Sequence, residues 1–237
     1  MYTGPHTGEA RVGSRGEQAY VDLKNLLLRG DFPLNRRLGE ERLASLLGVS
    51  RTPVREALAR LHVEGLVERC PDGGFQPTIP DVAEIRHLYE VRILLELAAL
   101  RRPGEQGTTH DQRALTELHR DWSALADDGP HDPDPEFVLL DESFHVSLAD
   151  AAGNPVLTDH LAQVNERIRV VRMLDFTIDG RIDRTVVEHL AILDAVLAGD
   201  VVEAEHAYLA HLETSLAVVE ERVAAAIARM TTRREPT

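Results

Sequence analysis

The sequence predicts a mainly α-helical protein, in which a small domain of three helices and a β-hairpin precedes an all-α bundle of six or seven helices. Apolar residues recur at helical spacing over most of the chain, which is the primary signal of amphipathic helices. A glycine-rich turn between two short apolar segments interrupts this pattern near residue 73. Aromatic residues make up only 4% of the chain, so Leu, Val, Ile and Ala must form the core.

Three helices are predicted at the start of the chain, and the first two cover residues 17–30 and 40–47. Acidic residues open the second helix and Gly48 ends it, as glycine commonly does after a last helical turn. Only a very short link leads to the third helix, where Ser50 or Thr52 is expected to cap the first turn. So short a link favours the steep packing of a helix-turn-helix.

Two short strands are predicted at residues 66–70 and 75–79, on either side of the turn sequence PDGG. Strands separated by such a turn form a hairpin. Three helices followed by a two-stranded hairpin describe a winged helix-turn-helix. We assign this domain to residues 15–79, after a flexible tail of residues 1–14.

Six long helices are predicted in the rest of the chain, because breaks rich in Gly, Pro and Asp separate stretches of helical periodicity. Long helices with short links are typical of an all-α bundle. We assign the bundle to residues 80–229 and a second flexible tail to residues 230–237. The predicted helices cover residues 81–102, 110–127, 135–151, 155–174, 182–198 and 200–229.

Charge is distributed unevenly along the chain, whose formal net charge is −14. Residues 1–80 carry 11 Lys and Arg against 10 Asp and Glu, whereas the remainder carries 15 against 30. A near-neutral segment followed by a strongly acidic one suggests two domains with different partners. Because the acidic part repels nucleic acid, any contact with DNA has to come from a local patch on the first segment.

The composition also narrows the class of protein. One cysteine, Cys70, excludes an internal disulfide framework and fits a reducing compartment. No apolar run approaches the roughly 18–20 residues that span a bilayer. The N-terminus lacks the apolar core of a secretory signal. We therefore expect a cytoplasmic protein without a membrane partner.

Two arginines, Arg51 and Arg55, lie one turn apart at the front of the third helix, on a face other than its apolar stripe. An arginine fork can bind O6 and N7 of guanine together, so both side chains suit the major groove. The hydroxyls of Ser50 and Thr52 suit phosphate, and Gly74 would let the hairpin tip lie close to the DNA. The alternative is that both arginines are solvated side chains of a surface helix.

A second set of polar residues lies in the predicted bundle. Asp141 and His145 are four residues apart and share one helix face, while His189 and His211 lie among apolar residues of two later helices. Three imidazoles and one carboxylate could converge on a divalent metal, and these ligand types fit zinc, nickel, iron or manganese. A single histidine in an apolar helix is more often a hydrogen-bonded core residue than a ligand, so that alternative stays open beside the metal site.

The stretch RLGEERLASLLGVSRTPVREALARLHVEGLVER closely resembles the DNA-binding domain of the GntR family of bacterial transcription regulators. The resemblance implies a winged helix-turn-helix that binds operator DNA. It also implies that three residues of the third helix contact the operator, namely Arg51, Thr52 and Arg55.

Residues 81–228 resemble the FCD ligand-binding domain of the FadR subfamily of this family, in segments that include DESFHVSLADAAGNPVL and VEHLAILDAVLAGD. The resemblance implies that Arg92 lies near a bound effector, where it can pair with a carboxylate. The alternative for Arg92 is a salt bridge to Glu96 or another acid of the bundle. The resemblance further implies that four residues hold a divalent metal, namely Asp141, His145, His189 and His211.

Together these features predict a ligand-responsive transcription repressor that binds double-stranded operator DNA as a homodimer and is not an enzyme. A small organic acid would chelate the metal with one end and shift the protein away from its DNA-binding state. One alternative is a metal-free sensor of a larger acyl ligand. Another is a di-iron bundle enzyme, because Glu-x-x-His occurs three times, at Glu84/His87, Glu142/His145 and Glu203/His206.

Overall fold

The computed structural model describes residues 15–29, 31–32, 36–78 and 81–232. The chain divides into two compact units, one of residues 1–79 with 226–237 and the other of residues 80–225. Helices dominate the described part of the chain, which confirms the predicted mainly α fold. The predicted tail of residues 1–14 lies outside the described residues, as do residues 233–237 of the second predicted tail.

The first unit contains the three helices and the hairpin of a winged helix-turn-helix, as predicted. Its elements are α1 (Arg15–Leu28), α2 (Glu40–Leu47), α3 (Arg51–Val63), β1 (Val67–Arg69) and β2 (Phe75–Pro77). The two strands are antiparallel, and Val67 lies opposite Pro77. Helix α3 packs against α1 and α2, and its apolar stripe, which includes Leu58 and Leu61, is completely buried.

The turn between α2 and α3 begins at Gly48, the residue that was predicted to end α2. Gly48 ends α2 in the left-handed conformation, with a φ of 65°, and its N–H bonds back to the carbonyls of Ala44 and Ser45. Residues with a Cβ are strained in this conformation, so glycine fits the turn best. Ser50, one of the two predicted cap residues, occupies the N-cap position of α3, but its hydroxyl makes no capping hydrogen bond.

The second unit is a bundle built from six helices of the described chain, and α4 packs against α6 and α7 while α5 packs against α6 and α8. Three of these helices start at a residue whose side chain accepts hydrogen bonds from first-turn N–H groups, namely Asp81, Asp111 and Asn154. The elements are α4 (Val82–Glu105), α5 (Gln112–Asp127), α6 (Phe137–Asp150), α7 (Pro155–Arg172), a 3-10 turn (Asp175–Thr177), α8 (Arg181–Ala198) and α9 (Val201–Thr232). The residues of α9 from 226 onward belong to the first unit.

Two helices extend beyond their predicted ends. Helix α4 continues through Pro103 to Glu105, although a proline in a helix removes one backbone hydrogen bond. The carbonyl left without that partner belongs to Ala99. Helix α9 continues to Thr232 rather than stopping at residue 229. No helix in the described ranges is long and apolar enough to cross a membrane.

Candidate functional site

The predicted DNA-reading residues lie on the surface of the first unit. The side chains of Arg51 and Arg55 are 59% and 64% exposed, so neither arginine is needed by the core. Both contact one carboxylate, because Glu40 Oε2 lies 2.8 Å from Arg55 Nε and 3.5 Å from Arg51 Nη2. The remaining predicted residues of this surface are also exposed, namely Ser50, Thr52 and Gly74.

The structure gives the hairpin glycine a role within the first unit. Gly74 has a φ of 83°, and a Cβ built there would lie 2.9 Å from Arg37 Nε. Arg37 Nη2 donates to the carbonyls of Asp72, at 2.9 Å, and of Gly73. Glycine at position 74 is therefore explained by backbone conformation and by Arg37, without a contact to DNA. Sequence reasoning missed this arginine, which precedes α2 by three residues.

The four predicted metal ligands converge inside the second unit. Asp141 and His145 lie on α6, His189 on α8 and His211 on α9, and all four side chains are buried. His211 Nε2 lies 3.3 Å from the Nε2 atoms of both His145 and His189. Asp141 carboxylate oxygens lie 3.5 Å and 3.6 Å from the same two Nε2 atoms.

These separations suit coordination of one ion. One ligand atom from each of the four residues lies within 4.8 Å of all the others. Ligands held about 2.0–2.2 Å from a metal are about 3.0–3.5 Å apart, which is close to the spacing found here. Three imidazole nitrogens and one carboxylate oxygen form a donor set that zinc, nickel, iron or manganese can accept.

Two of the histidines are oriented by carboxylates that contact Nδ1, the ring nitrogen on the side away from the other ligands. His145 Nδ1 lies 2.8 Å from Glu96 Oε2 and 3.0 Å from the hydroxyl of Tyr208. His211 Nδ1 lies 2.8 Å from Glu188 Oε2. A carboxylate at Nδ1 fixes the ring tautomer with its proton on Nδ1, which leaves Nε2 free to bind a metal.

The third histidine is held by rings rather than by a carboxylate. The ring of His189 stacks on Phe144, with centroids 3.6 Å apart and planes 5° from parallel. The Trp122 ring meets His189 edge-on, at 4.4 Å. Among the described residues His189 Nδ1 has no hydrogen-bond partner. Aromatic packing therefore fixes this ring, and its Nε2 still points to the other three ligands.

Metal binding requires neutral imidazoles and an ionised carboxylate, and the surroundings of the cluster favour both. Burial lowers the pKa of His145 to about 4, and it also lowers the pKa of His189 well below the ordinary value, helped by the nearby His211. Burial alone would raise the pKa of Asp141, but the positive charge of Arg172 outweighs it and holds that pKa well below its usual range. At neutral pH these two imidazoles are thus uncharged and the carboxylate is ionised.

Buried arginines adjoin the cluster. Arg172 Nη1 lies 2.5 Å from Asp141 Oδ2, and both side chains are inaccessible to solvent. This contact is an ion pair without hydrogen-bond alignment, and the three guanidinium nitrogens of Arg172 have no aligned acceptor among the described residues. From the sequence, Arg169 and Arg172 could both approach this cavity, and neither was assigned to it. The structure buries Arg172 beside Asp141, whereas Arg169 pairs with Glu142.

The contacts of Arg92 bear on the two roles that the sequence left open, a salt bridge to Glu96 and binding of an effector. Its Nε donates to Glu96 Oε1 at 2.6 Å, so the expected salt bridge is present. Its Nη1 and Nη2 atoms are buried and have no hydrogen-bond partner in the described part of the chain, and the same holds for both side-chain amide atoms of Asn165. Buried polar groups without partners are costly, and the Arg92 nitrogens could donate hydrogen bonds to an anionic ligand.

The repeated Glu-x-x-His pattern does not form a second cluster. Glu84 and His87 are exposed on α4, and Glu203 and His206 are exposed on α9. Glu142, the remaining glutamate of the pattern, pairs with Arg169 at 2.8 Å. The described residues therefore give no support to a di-iron centre.

Comparison with known proteins agrees with this architecture. Residues 15–76 match the family of bacterial regulatory proteins called gntR, and residues 87–214 match the FCD domain. The HTH-type transcriptional regulator YdhC of Bacillus subtilis (strain 168) is 30% identical over 194 residues, which cover 82% of this chain and 86% of YdhC. The Nta operon transcriptional regulator of Aminobacter aminovorans is 30% identical over 202 residues, covering 85% and 93% of the two chains.

A solved structure shows the same fold. Lar, which controls expression of the Listeria monocytogenes agr system, matches with a TM-score of 0.60 at 20% identity, over 89% of this chain and 99% of Lar. The relatives named here act in regulation, which confirms the prediction of a regulator rather than an enzyme. The chain belongs to the gntR family of bacterial regulatory proteins and combines its winged helix-turn-helix with an FCD domain.

Proposed function

We propose that this regulator is a cytoplasmic, effector-responsive repressor of the FadR type, whose first unit binds operator DNA and whose second unit binds a divalent metal and a small organic acid. The observation that carries the proposal is the buried convergence of one aspartate and three histidines beside terminal nitrogens of Arg92 that have no hydrogen-bond acceptor among the described residues. A bound metal would be coordinated by the aspartate and the histidines, and a bound carboxylate would accept hydrogen bonds from the arginine nitrogens.

Operator binding would use the exposed front of α3. Arg51 and Arg55 would reach base edges in the major groove, while the hydroxyls of Ser50 and Thr52 and the first N–H groups of α3 would contact phosphates. Gly74 would bring the wing tip close to the DNA backbone. This surface contributes positive charge from a unit that lacks the acidic excess of the second.

We propose that two copies bind adjacent half-sites of a roughly palindromic operator, since a two-fold protein symmetry selects a two-fold DNA symmetry. On the second unit, Val91 and Leu94 are 45% and 70% exposed on α4. Neighbouring apolar side chains on one helix face suit burial against a second copy.

The metal would be held by Asp141 and by the Nε2 atoms of His145, His189 and His211. Bound there, it would attract a carboxylate oxygen of the effector as a Lewis acid. The protein's own residues would hold the rest of the acid. Arg92 and Arg172 offer charged donors and Asn165 offers an amide, all of them buried in the bundle.

The response to the effector would be a population shift between dimer geometries. An effector that binds the DNA-releasing geometry more tightly moves the equilibrium toward it, by no more than its difference in affinity for the two states. We assign the sign as release of DNA, so that the effector relieves repression.

Two measurements test this function. Metal analysis of protein purified without chelators should find one divalent ion per chain, and a thermal-shift screen should identify carboxylates that stabilise the protein only when metal is present. The double variant Asp141→Ala with His145→Ala should lose both effects and still bind operator DNA. His206→Ala is the matched control, because it removes an exposed histidine of α9.

The outcomes separate this function from its rival. A wild-type protein that holds no metal, and that long acyl ligands stabilise without one, would identify a metal-free acyl sensor instead. A double variant that still responds to a carboxylate would contradict the proposed metal role.

A further inference from the structure

We infer that Glu40 is a positioning residue for DNA recognition, which orients Arg51 and Arg55 and thereby sets base specificity. The inference rests on the proposed operator binding by α3. Glu40 would not contact bases itself. It would act through the two arginines and through its own negative charge.

The contacts of Glu40 point to this role. A single carboxylate oxygen, Oε2, lies 2.8 Å from Arg55 Nε and 3.5 Å from Arg51 Nη2. The hydrogen bond to Arg55 uses Nε, so it occupies neither of the two terminal nitrogens of that guanidinium. The terminal nitrogens of an arginine are the atoms that can pair with O6 and N7 of guanine.

The backbone around Glu40 is fixed by the same unit. Glu40 is the first residue of α2, directly after the cap residue Gly39. Just before it, the N–H of Leu38 donates to the carbonyl of Phe75 in β2, at 2.7 Å, and the Leu38 side chain is buried. The carboxylate therefore extends from a rigid position between the hairpin and α3, which makes it a fixed reference point for the arginines.

Two physical effects would raise specificity. An arginine that is already held in one orientation loses less side-chain entropy when it binds a base. The Glu40 charge also lies close to where DNA phosphates would be, and repulsion weakens binding that lacks base contacts. Glu40 would thus lower affinity for arbitrary DNA while it preserves affinity for the operator.

A selection from a randomised duplex library at fixed salt tests the inference with the full-length protein. Wild type should enrich one sequence pattern. Glu40→Gln should bind arbitrary duplex as well as wild type or better, while its preference at the selected positions falls by about five- to tenfold, part of what one arginine–guanine pair supplies. Glu41→Gln is the matched control, because Glu41 is an exposed neighbour on α2 that pairs with neither arginine among the described residues.

A second background separates positioning from simple loss of charge. In an Arg55→Ala protein, adding Glu40→Gln should cause little further loss of base preference, because the side chain through which Glu40 acts is gone. Unchanged melting temperatures would show that the fold is intact.

The other outcomes distinguish a failure of the inference about Glu40 from a failure of the proposed function. Equal preferences for Glu40→Gln and wild type, or an equal loss in Glu41→Gln, would overturn the inference while leaving operator binding in place. A wild-type protein that enriches no sequence would instead overturn the proposed function, and the role of Glu40 with it.

Discussion

Both units pair arginine with carboxylate, but in opposite environments. In the first unit Arg51 and Arg55 share Glu40 at the surface, with more than half of each arginine side chain exposed. In the second unit Arg172 pairs with Asp141 while both are completely buried. Water screens the first kind of pair, so it contributes about 0–1 kcal/mol and can exchange partners. The second kind lies where an unpaired charge is expensive.

This difference shows how one residue type serves two functions. The exposed arginines can contact a nucleic acid without taking from the core a counter-charge that it needs, because Glu40 is itself partly exposed to water. Buried arginines can change partner only if another charged group enters, such as a metal at Asp141 or a carboxylate at Arg172. The site in the second unit is therefore suited to respond to a ligand, and the surface of the first unit is suited to bind and release DNA.

The largest effect is expected from breaking the buried pair. Arg172→Ala should reduce the free energy of unfolding of metal-free protein by about 3–5 kcal/mol, because it leaves the Asp141 carboxylate buried without a counter-charge. Saturating metal should recover part of that loss, since the ion would neutralise the same carboxylate. Urea unfolding with and without metal measures both quantities.

Arg167→Ala is the control for that comparison. Arg167 lies on the same helix and pairs with Glu84 at the surface, so its removal should change stability by no more than about 0.5 kcal/mol. Equal effects of the two substitutions would show that burial does not distinguish the pairs.

Acid should destabilise the metal-free second unit. The pKa of His145 is lowered to about 4 in the folded protein, whereas an unfolded chain binds that proton near pH 6.5. Between these values the unfolded state holds more protons, so stability falls as the pH drops from about 6.5 to 4, by up to about 3 kcal/mol from this residue. His189 acts in the same direction.

Thermal unfolding from pH 7.5 to 4 follows this loss. His145→Asn should flatten the profile, because asparagine does not titrate. A wild-type profile that is flat, or that rises on acidification, would contradict the buried neutral state of the histidine.

Metal binding should stabilise the protein through the same cluster. A divalent ion at a hundred times its Kd adds about 2.7 kcal/mol to the free energy of unfolding. His211→Ala should abolish this increment, and His206→Ala on the same helix should keep it. An increment that survives in His211→Ala would place the metal elsewhere.

The smallest effect on stability, with a distinct effect on function, is expected at the surface. Arg51→Ala should leave the melting temperature unchanged and weaken operator binding by about 1–3 kcal/mol at fixed salt, with relaxed preference at one base position. Arg120→Ala, which removes an exposed arginine of α5, should leave that affinity unchanged. An operator affinity that Arg51→Ala does not alter would remove α3 as the reading element.

The sequence alone determined the elements that depend on local chemistry. Helical periodicity located the helices, Gly48 was expected to end α2 and does so in the left-handed conformation, and PDGG predicted the hairpin. The ends of α4 and α9 were predicted too early, at residues 102 and 229, whereas the two helices continue to Glu105 and Thr232. Local signals locate the ends of helices less well than their centres.

The candidate site shows the same division. Asp141 and His145 share a helix face, so their proximity follows from spacing. His189 and His211 were candidates because they lie among apolar residues of later helices, and the resemblance to the family implied that all four hold one metal. Only the tertiary structure decided which groups contact these residues from other helices. Glu96 of α4 orients His145, and Glu188 of α8 orients His211. Arg172 of α7 neutralises the charge of Asp141.

The physical reason lies in the range of the interactions. Hydrogen-bonding geometry along one helix is fixed within about four residues, and it is visible in the sequence. Which charges come to face one another in a core depends on how helices far apart in the chain pack. Burial, which makes those pairs strong, is a property of the assembled bundle and not of any segment.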